Sequence, residues 1–239
     1  MSVKISQPYQ PLLLRILHGL TGLFAIAAMI TAFWTYDTYD GRWGRIPLPR
    51  FTEIEGIHGT FGLWTLLIFP LFVVYSFHRG QRRLIQPNSI SKLTQFNQPI
   101  WWYTLHRLVN TLNILALTFA VFSGKMMDEK WLPKGELNHS WYYAHLISWL
   151  ILVTCISVHL LMSAKVGGLP LILSIINWRF RSNDSPALWR KYLFQWRSNL
   201  EIKRFRQWLL SPSLLKVIEL FVLITIILSW IISLIKEIN

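Results

Sequence analysis

WYYAHLISWLILVTCISVHLLMSA, residues 141–164, runs without a single Asp, Glu, Lys or Arg and carries two histidines, His145 and His159. About 20 helical residues cross the roughly 30 Å hydrocarbon core of a bilayer, so a run this long and this apolar predicts a transmembrane helix. The two histidines are 14 residues apart. On an ideal helix that is a rise of about 21 Å with an angular offset of only about 40°. One face of this helix therefore presents imidazoles at two depths of the membrane.

Four further stretches have the length of a span: approximately 12–36, 56–77, 102–124 and 214–236. Pro70 is expected to bend the second of them. With 53% hydrophobic and 15% charged residues, the 239-residue chain has too little polar surface to dress a soluble globule, so lipid must be part of its solvent. The expected fold is an all-α integral membrane protein: a four-helix bundle plus a fifth, C-terminal transmembrane helix. Residues 1–165 form the four-helix core, 166–213 a basic amphipathic segment and 214–239 the fifth helix. The first apolar run lacks a short h-region with a small-residue cleavage site and is read as a retained helix.

The formal charge of +13 could suggest nucleic acid. The basic residues, however, cluster between apolar runs, which is the positive-inside pattern of a membrane protein, so no nucleic-acid partner is expected. Arg79, Arg82, Arg83 and Lys92 fall between spans two and three, and Lys165, Arg179, Arg181, Arg190 and Arg197 follow span four. Those sides are expected in the cytoplasm, which puts the N-terminus inside and the C-terminus outside. Trp101, Trp102, Tyr103, Trp141, Tyr142 and Tyr143 bracket span ends as interfacial anchors. The stretch from Leu169 to Phe180, with the basic and aromatic residues that follow through Trp208, reads as a helix on an anionic cytoplasmic surface or a docking face for a soluble partner.

An ionisable group at membrane depth is costly and marks function by default. Five histidines qualify: His18, His58, His106, His145 and His159. His78 and His139 sit at span boundaries, where a solvated side chain is the expectation. With the N-terminus inside, His18 and His159 share the cytoplasmic level, while His58 and His145 share the outer one. Two couples result, each with one imidazole from the fourth span. Bis-imidazole ligation suits a low-spin electron-transfer haem, because both axial positions are filled and the iron changes oxidation state without binding substrate.

The only cysteine, Cys155, lies inside an apolar run, so covalent haem attachment, disulfides and an iron–sulfur cluster all lack their thiols. Two b-type haems are the expected cofactors. Gly19, Gly22, Gly59 and Gly62 lie beside the ligand positions and would let a flat macrocycle approach the backbone, although small residues also serve helix packing. Arg15, Arg107 and Lys165 are placed to meet the propionates of the cytoplasmic-side haem or to snorkel to lipid phosphates.

A histidine early in span one (His18), one at the start of span two (His58) and two separated by 14 in span four (His145, His159) resemble the di-haem cytochrome b superfamily. That superfamily includes the membrane subunits of formate dehydrogenase and nickel–iron hydrogenase and the small prokaryotic cytochrome b561. The resemblance covers about residues 12–165. It implies His18 with His159 on the iron of the cytoplasmic-side haem and His58 with His145 on that of the outer one. His106 lies at the right depth to compete with His18, and the basic segment from Lys165 to Ser213 matches no particular member.

His106, Asn110 and Asn113 fall at i, i+4 and i+7, a polar stripe at the cytoplasmic-side level of span three. Such a stripe can hydrogen-bond a quinone or merely pack against a neighbouring helix. In the formate dehydrogenase-like members quinone is reduced near an Asn of this helix, a position that Asn110 resembles. Glu219 can pass protons near the same surface or pair with Lys216. The chain has no nucleotide-binding glycine motif and no large extramembrane domain, so something else must donate electrons.

Three functions remain open at this level. The chain is a haem-bearing membrane subunit that couples a soluble or membrane partner to quinone, a self-sufficient small oxidoreductase that passes electrons from superoxide or a small reductant to quinone, or a non-haem accessory subunit. A prokaryotic plasma membrane or a thylakoid would suit each of them.

Overall fold

The computed structural model describes residues 8–127, 131–198 and 213–238. It contains α-helices of four to 37 residues and, among the described residues, no strands. They are α1 (Leu12–Tyr39), α2 (Ile54–His78), α3 (Ser89–Leu93), α4 (Pro99–Met126), α5 (Trp131–Lys134), α6 (Ser140–Ile176), α7 (Trp189–Ser198) and α8 (Leu214–Ile238). Of these, α1, α2, α4, α6 and α8 are long and apolar enough to cross a membrane. The expected all-α architecture with five spans is borne out. The cytoplasmic amphipathic reading of 166–213 falls in part on residues 199–212, which lie outside the described residues.

The fourth span differs from expectation at its end. Helix continues past Ala164 only to a break at Gly168 (φ 63°, ψ −167°), and a second helical stretch, within the separately expected 169–180 segment, runs from there to Ile176. Pro170 supplies the reason, since it has no N–H to donate and its ring crowds the carbonyl four residues back. A glycine two positions earlier takes up the bend at a φ that other residues avoid. The helix ends short of Phe180, and residues 177–180 have no regular secondary structure. By contrast, α2 continues through Pro70 without interruption.

The helices associate as two hairpins. α1 packs along α2 and α4 along α6, whereas the α1–α6 and α2–α4 seams touch less. Leu66, Phe69, Val73, Ile114 and Leu152 join the hairpins in one buried cluster, to which α8 adds Val222 and Ile226. α8 lies against α4 and α2 and buries Lys216, Glu219, Val222, Ile226 and Ser229, a stripe at helical spacing. Its polar members tie it in place: Glu219 meets Nε2 of half-exposed His78 at 2.8 Å, and the Lys236 amine donates to the Met127 carbonyl.

Hydrogen bonds clasp both ends of the bundle. At the end that carries the basic 79–98 loop, Asp184 accepts from the Tyr9 hydroxyl and the Leu12 amide, each at 2.5 Å, and so covers the start of α1. Arg15 Nη2 donates to the Arg179 carbonyl at 2.9 Å. At the opposite end, Arg42 donates to Asp40 Oδ1 (2.7 Å), the Tyr143 hydroxyl (2.8 Å) and the Leu137 carbonyl (3.0 Å), while the Tyr142 hydroxyl donates to Asp40 Oδ2 (2.8 Å). The α1–α2 connection is thereby joined to the one preceding α6.

Candidate functional site

The weakly packed space between the hairpins contains the intramembrane histidines. At the Asp37–Glu55 end, the rings of His58 (α2) and His145 (α6) face each other with centroids 5.9 Å apart. At the basic end, His18 (α1) and His159 (α6) are 6.1 Å apart. Two imidazoles on opposite sides of one metal ion, each bonded at about 2 Å, have centroids roughly 6 Å apart. Both couples have that spacing, and helix pitch puts the two α6 members on one face at the two ends of the span.

Hydrogen bonds orient the rings. His58 Nδ1 lies 3.0 Å from the Ala28 carbonyl, with Thr31 Oγ1 at 3.4 Å. His145 Nδ1 lies 3.0 Å from Ser123 Oγ, whose own hydrogen goes to the Ala120 carbonyl at 3.2 Å. His159 Nδ1 lies 2.8 Å from Asn110 Oδ1. Each acceptor keeps the ring proton on Nδ1 and leaves Nε2 as the lone-pair nitrogen, the arrangement of metal-binding imidazoles.

His106 also approaches His159, with ring centroids 5.6 Å apart. Its Nε2 is directed at Ser163 Oγ, 3.2 Å away. Asn110 is committed at both amide atoms, whereas Asn113 is bonded through Nδ2 alone and leaves a buried Oδ1 unpaired. Asn110 Nδ2 donates to the Arg83 carbonyl at 2.9 Å, and Asn113 Nδ2 donates to the Val109 and Cys155 carbonyls at 3.0 and 3.2 Å. Arg107 follows His106 on α4 and is partly exposed, whereas Lys165 is exposed and lies over the Trp102 ring at 4.9 Å.

Two sets of observations test whether these residues fit a haem. Around His58 and His145 lies a cavity of about 1170 Å³, lined also by Gly59, Gly62, Leu63 and Trp149. That exceeds the roughly 300–1,000 Å³ of ordinary ligand pockets, as a macrocycle requires. A Cβ at Gly19, Gly22, Gly59 or Gly62 would meet nothing within 4 Å, so these glycines face open space and do not serve close helix contact.

At the other couple, three buried polar atoms on successive turns of α1 have no partner: Arg15 Nε, His18 Nδ1 and Thr21 Oγ1. Thr35, Thr65 and Thr118, in the same or other spans, bond the carbonyl four residues back. Arg15 is 5% exposed, and among the described residues no carboxylate lies within ion-pair distance of it. A buried guanidinium without an anion is costly, and a propionate is the anion such a site suits. Both places fit the group.

Two features of the site have no signature in the sequence. Ser123 holds His145, and Gly124, the next residue, leaves room for its ring. Only the 21- and 22-residue separations from His145 link them in sequence, and that spacing has no helical meaning across two elements.

No curated protein and no solved structure matches the chain. A family model described as prokaryotic cytochrome b561 matches residues 9–178, which contain both couples and all four helices that carry or enclose them. The chain therefore belongs to the prokaryotic cytochrome b561 family, integral membrane proteins that bind b-type haem and carry electrons across the bilayer.

Proposed function

We propose that the chain holds two b-type haems, one between His18 and His159 at the cytoplasmic end and one between His58 and His145 at the outer end, and exchanges their electrons with the quinone pool. The observation that carries this reading is the pair of imidazole couples at 6.1 and 5.9 Å, each with one member from α6. Haem b supplies one-electron chemistry in a low-spin, bis-imidazole state. The chain contributes the ligands, their depth and their shielding. α8 closes the α2–α4 side, while Trp149, stacked on Phe33 at 6.0 Å and donating to the Met29 carbonyl at 2.9 Å, closes the α1–α6 seam.

The excess of Lys and Arg in the 79–98 loop and after α6 supports an N-terminus in the cytoplasm and a C-terminus outside. Arg15 is the propionate partner best supported, being buried with an unpaired Nε; Arg107 is a secondary one. Of the polar stripe on α4, His106 with Ser163 and the unpaired Oδ1 of Asn113 are the groups that can serve quinone, because the Asn110 amide is engaged at both its atoms. A soluble or membrane partner would donate or accept at the outer end.

Haem stoichiometry and type, read by pyridine haemochrome on the purified chain, test this reading. Two haem b per chain, with quinol-dependent reduction of the haems, is the expected result. A chain isolated under ample haem supply without Soret absorbance would remove it.

A further inference from the structure

The four ring contacts at the two couples are unequal, and the difference centres on one side chain. His58 is held by a backbone carbonyl, His145 by a hydroxyl, His159 by a side-chain amide, and His18 Nδ1 has no partner. Asn110 differs from the other acceptors because its orientation is itself decided. Its Nδ2 donates to the Arg83 carbonyl at 2.9 Å, so Oδ1 must be the atom that faces His159 at 2.8 Å. An amide turned the other way would put two donors together at His159 and leave the Arg83 carbonyl facing an oxygen.

The Arg83 carbonyl is held in turn. The Ile85 amide donates to Thr111 Oγ1 at 3.0 Å, which pins the 79–98 loop to the α4 turn that carries Asn110. Gln86 Nε2 closes the same loop on the carbonyls of Gln81 and Leu84, both at 2.9 Å. A loop outside the bundle thus reaches an intramembrane imidazole through one asparagine.

We infer that Asn110 is a positioning residue that sets the reduction potential of the haem held by His159, and that the Arg83 carbonyl fixes it in that role. The inference rests on His159 being a haem ligand. A ring whose Nδ1–H is drawn towards an acceptor is a more basic ligand at Nε2 and favours the ferric state. The amide oxygen therefore keeps this haem at a lower potential than the same ligand would give without it. A carboxylate in its place would draw the proton more strongly.

The test is redox titration of the purified, haem-loaded full-length chain, unsubstituted and with Asn110→Leu or Asn110→Asp, together with the low-spin electron paramagnetic resonance spectrum. His58→Ala in each background, which leaves one couple intact, identifies the haem concerned. The expected result is one haem moving to higher potential in Asn110→Leu and to lower potential in Asn110→Asp, with its resonance displaced and the other haem unmoved. Retention of both haems with unchanged potentials, or both haems moving together, would overturn the inference and leave the two-haem reading intact. Should Asn110→Leu release haem, the direction in Asn110→Asp alone decides. Full haem content in His159→Ala, by contrast, would remove the reading on which the inference stands.

Discussion

Gly124 stands against the imidazole of His145: a Cβ at this position would lie 3.1 Å from Cε1 and 3.6 Å from Nδ1. The absence of a side chain on α4 is therefore what lets the ring turn its Nδ1 to Ser123, 3.0 Å away, with its centroid 5.9 Å from that of His58. A branched side chain here has to push the ring or separate the helices, at a cost of about 1–3 kcal/mol for overpacking. Gly124→Val is expected to lower haem content towards that of a one-haem protein, with the His18–His159 couple retained. Spectrally separate haem signals check this, and an unaltered pair of signals would count against it.

Ligand substitutions separate the couples. Single His145→Ala and His159→Ala substitutions should each lose mainly one haem, and the double variant should retain almost none, since α6 contributes to both couples. His106→Ala should keep both haems, because its Nε2 is engaged with Ser163. Pyridine haemochrome assay provides the measurement. Loss of a haem in His106→Ala with retention in His18→Ala would exchange their roles.

Asp184 gathers two donors at the start of α1, the Tyr9 hydroxyl and the Leu12 amide. Its removal takes away a helix cap and a charge-assisted hydrogen bond, each worth about 1 kcal/mol or somewhat more. Asp184→Ala should loosen residues 177–188 from α1 and, through the Arg15–Arg179 contact, raise the solvent accessibility of Arg15. Faster limited proteolysis of this segment, at near-normal haem content, is the expected outcome. Unchanged protection would show that the clasp adds little.

The partner of Glu219 lies on a different helix, His78 of α2, at 2.8 Å. His78 is half exposed, which discounts the pair, so Glu219→Ala should cost only about 1 kcal/mol from that contact. A lower melting temperature with an unaltered haem count is expected, because α8 contributes none of the four ring ligands. Simultaneous haem loss would mean that α8 shapes the couples themselves.

The spans were legible because hydrocarbon thickness translates directly into a count of apolar residues. The same holds for His145 and His159, whose common face follows from helix pitch alone. Asn110 shows where that legibility stops. Its place on a polar stripe suggested a quinone contact, but the partners of its amide, His159 and the Arg83 carbonyl, belong to another helix and a distant loop. The fourth span overruns its apolar stretch by a few residues for a local reason: hydropathy dips after Ala164, yet helical hydrogen bonding carries on past Lys165 to the Gly168 bend.

Sequence by itself determined how many times the chain crosses the bilayer, which histidines lie at membrane depth and how two of them share a face, since these depend only on length, polarity and the 3.6-residue turn. Tertiary structure alone decided that His106 turns its Nε2 to Ser163, that Arg15, His18 and Thr21 leave polar atoms unpaired, and that Gly124 makes room for His145. Those outcomes depend on the rotation of one helix against another, which side-chain packing between the hairpins sets and no single stretch of chain encodes.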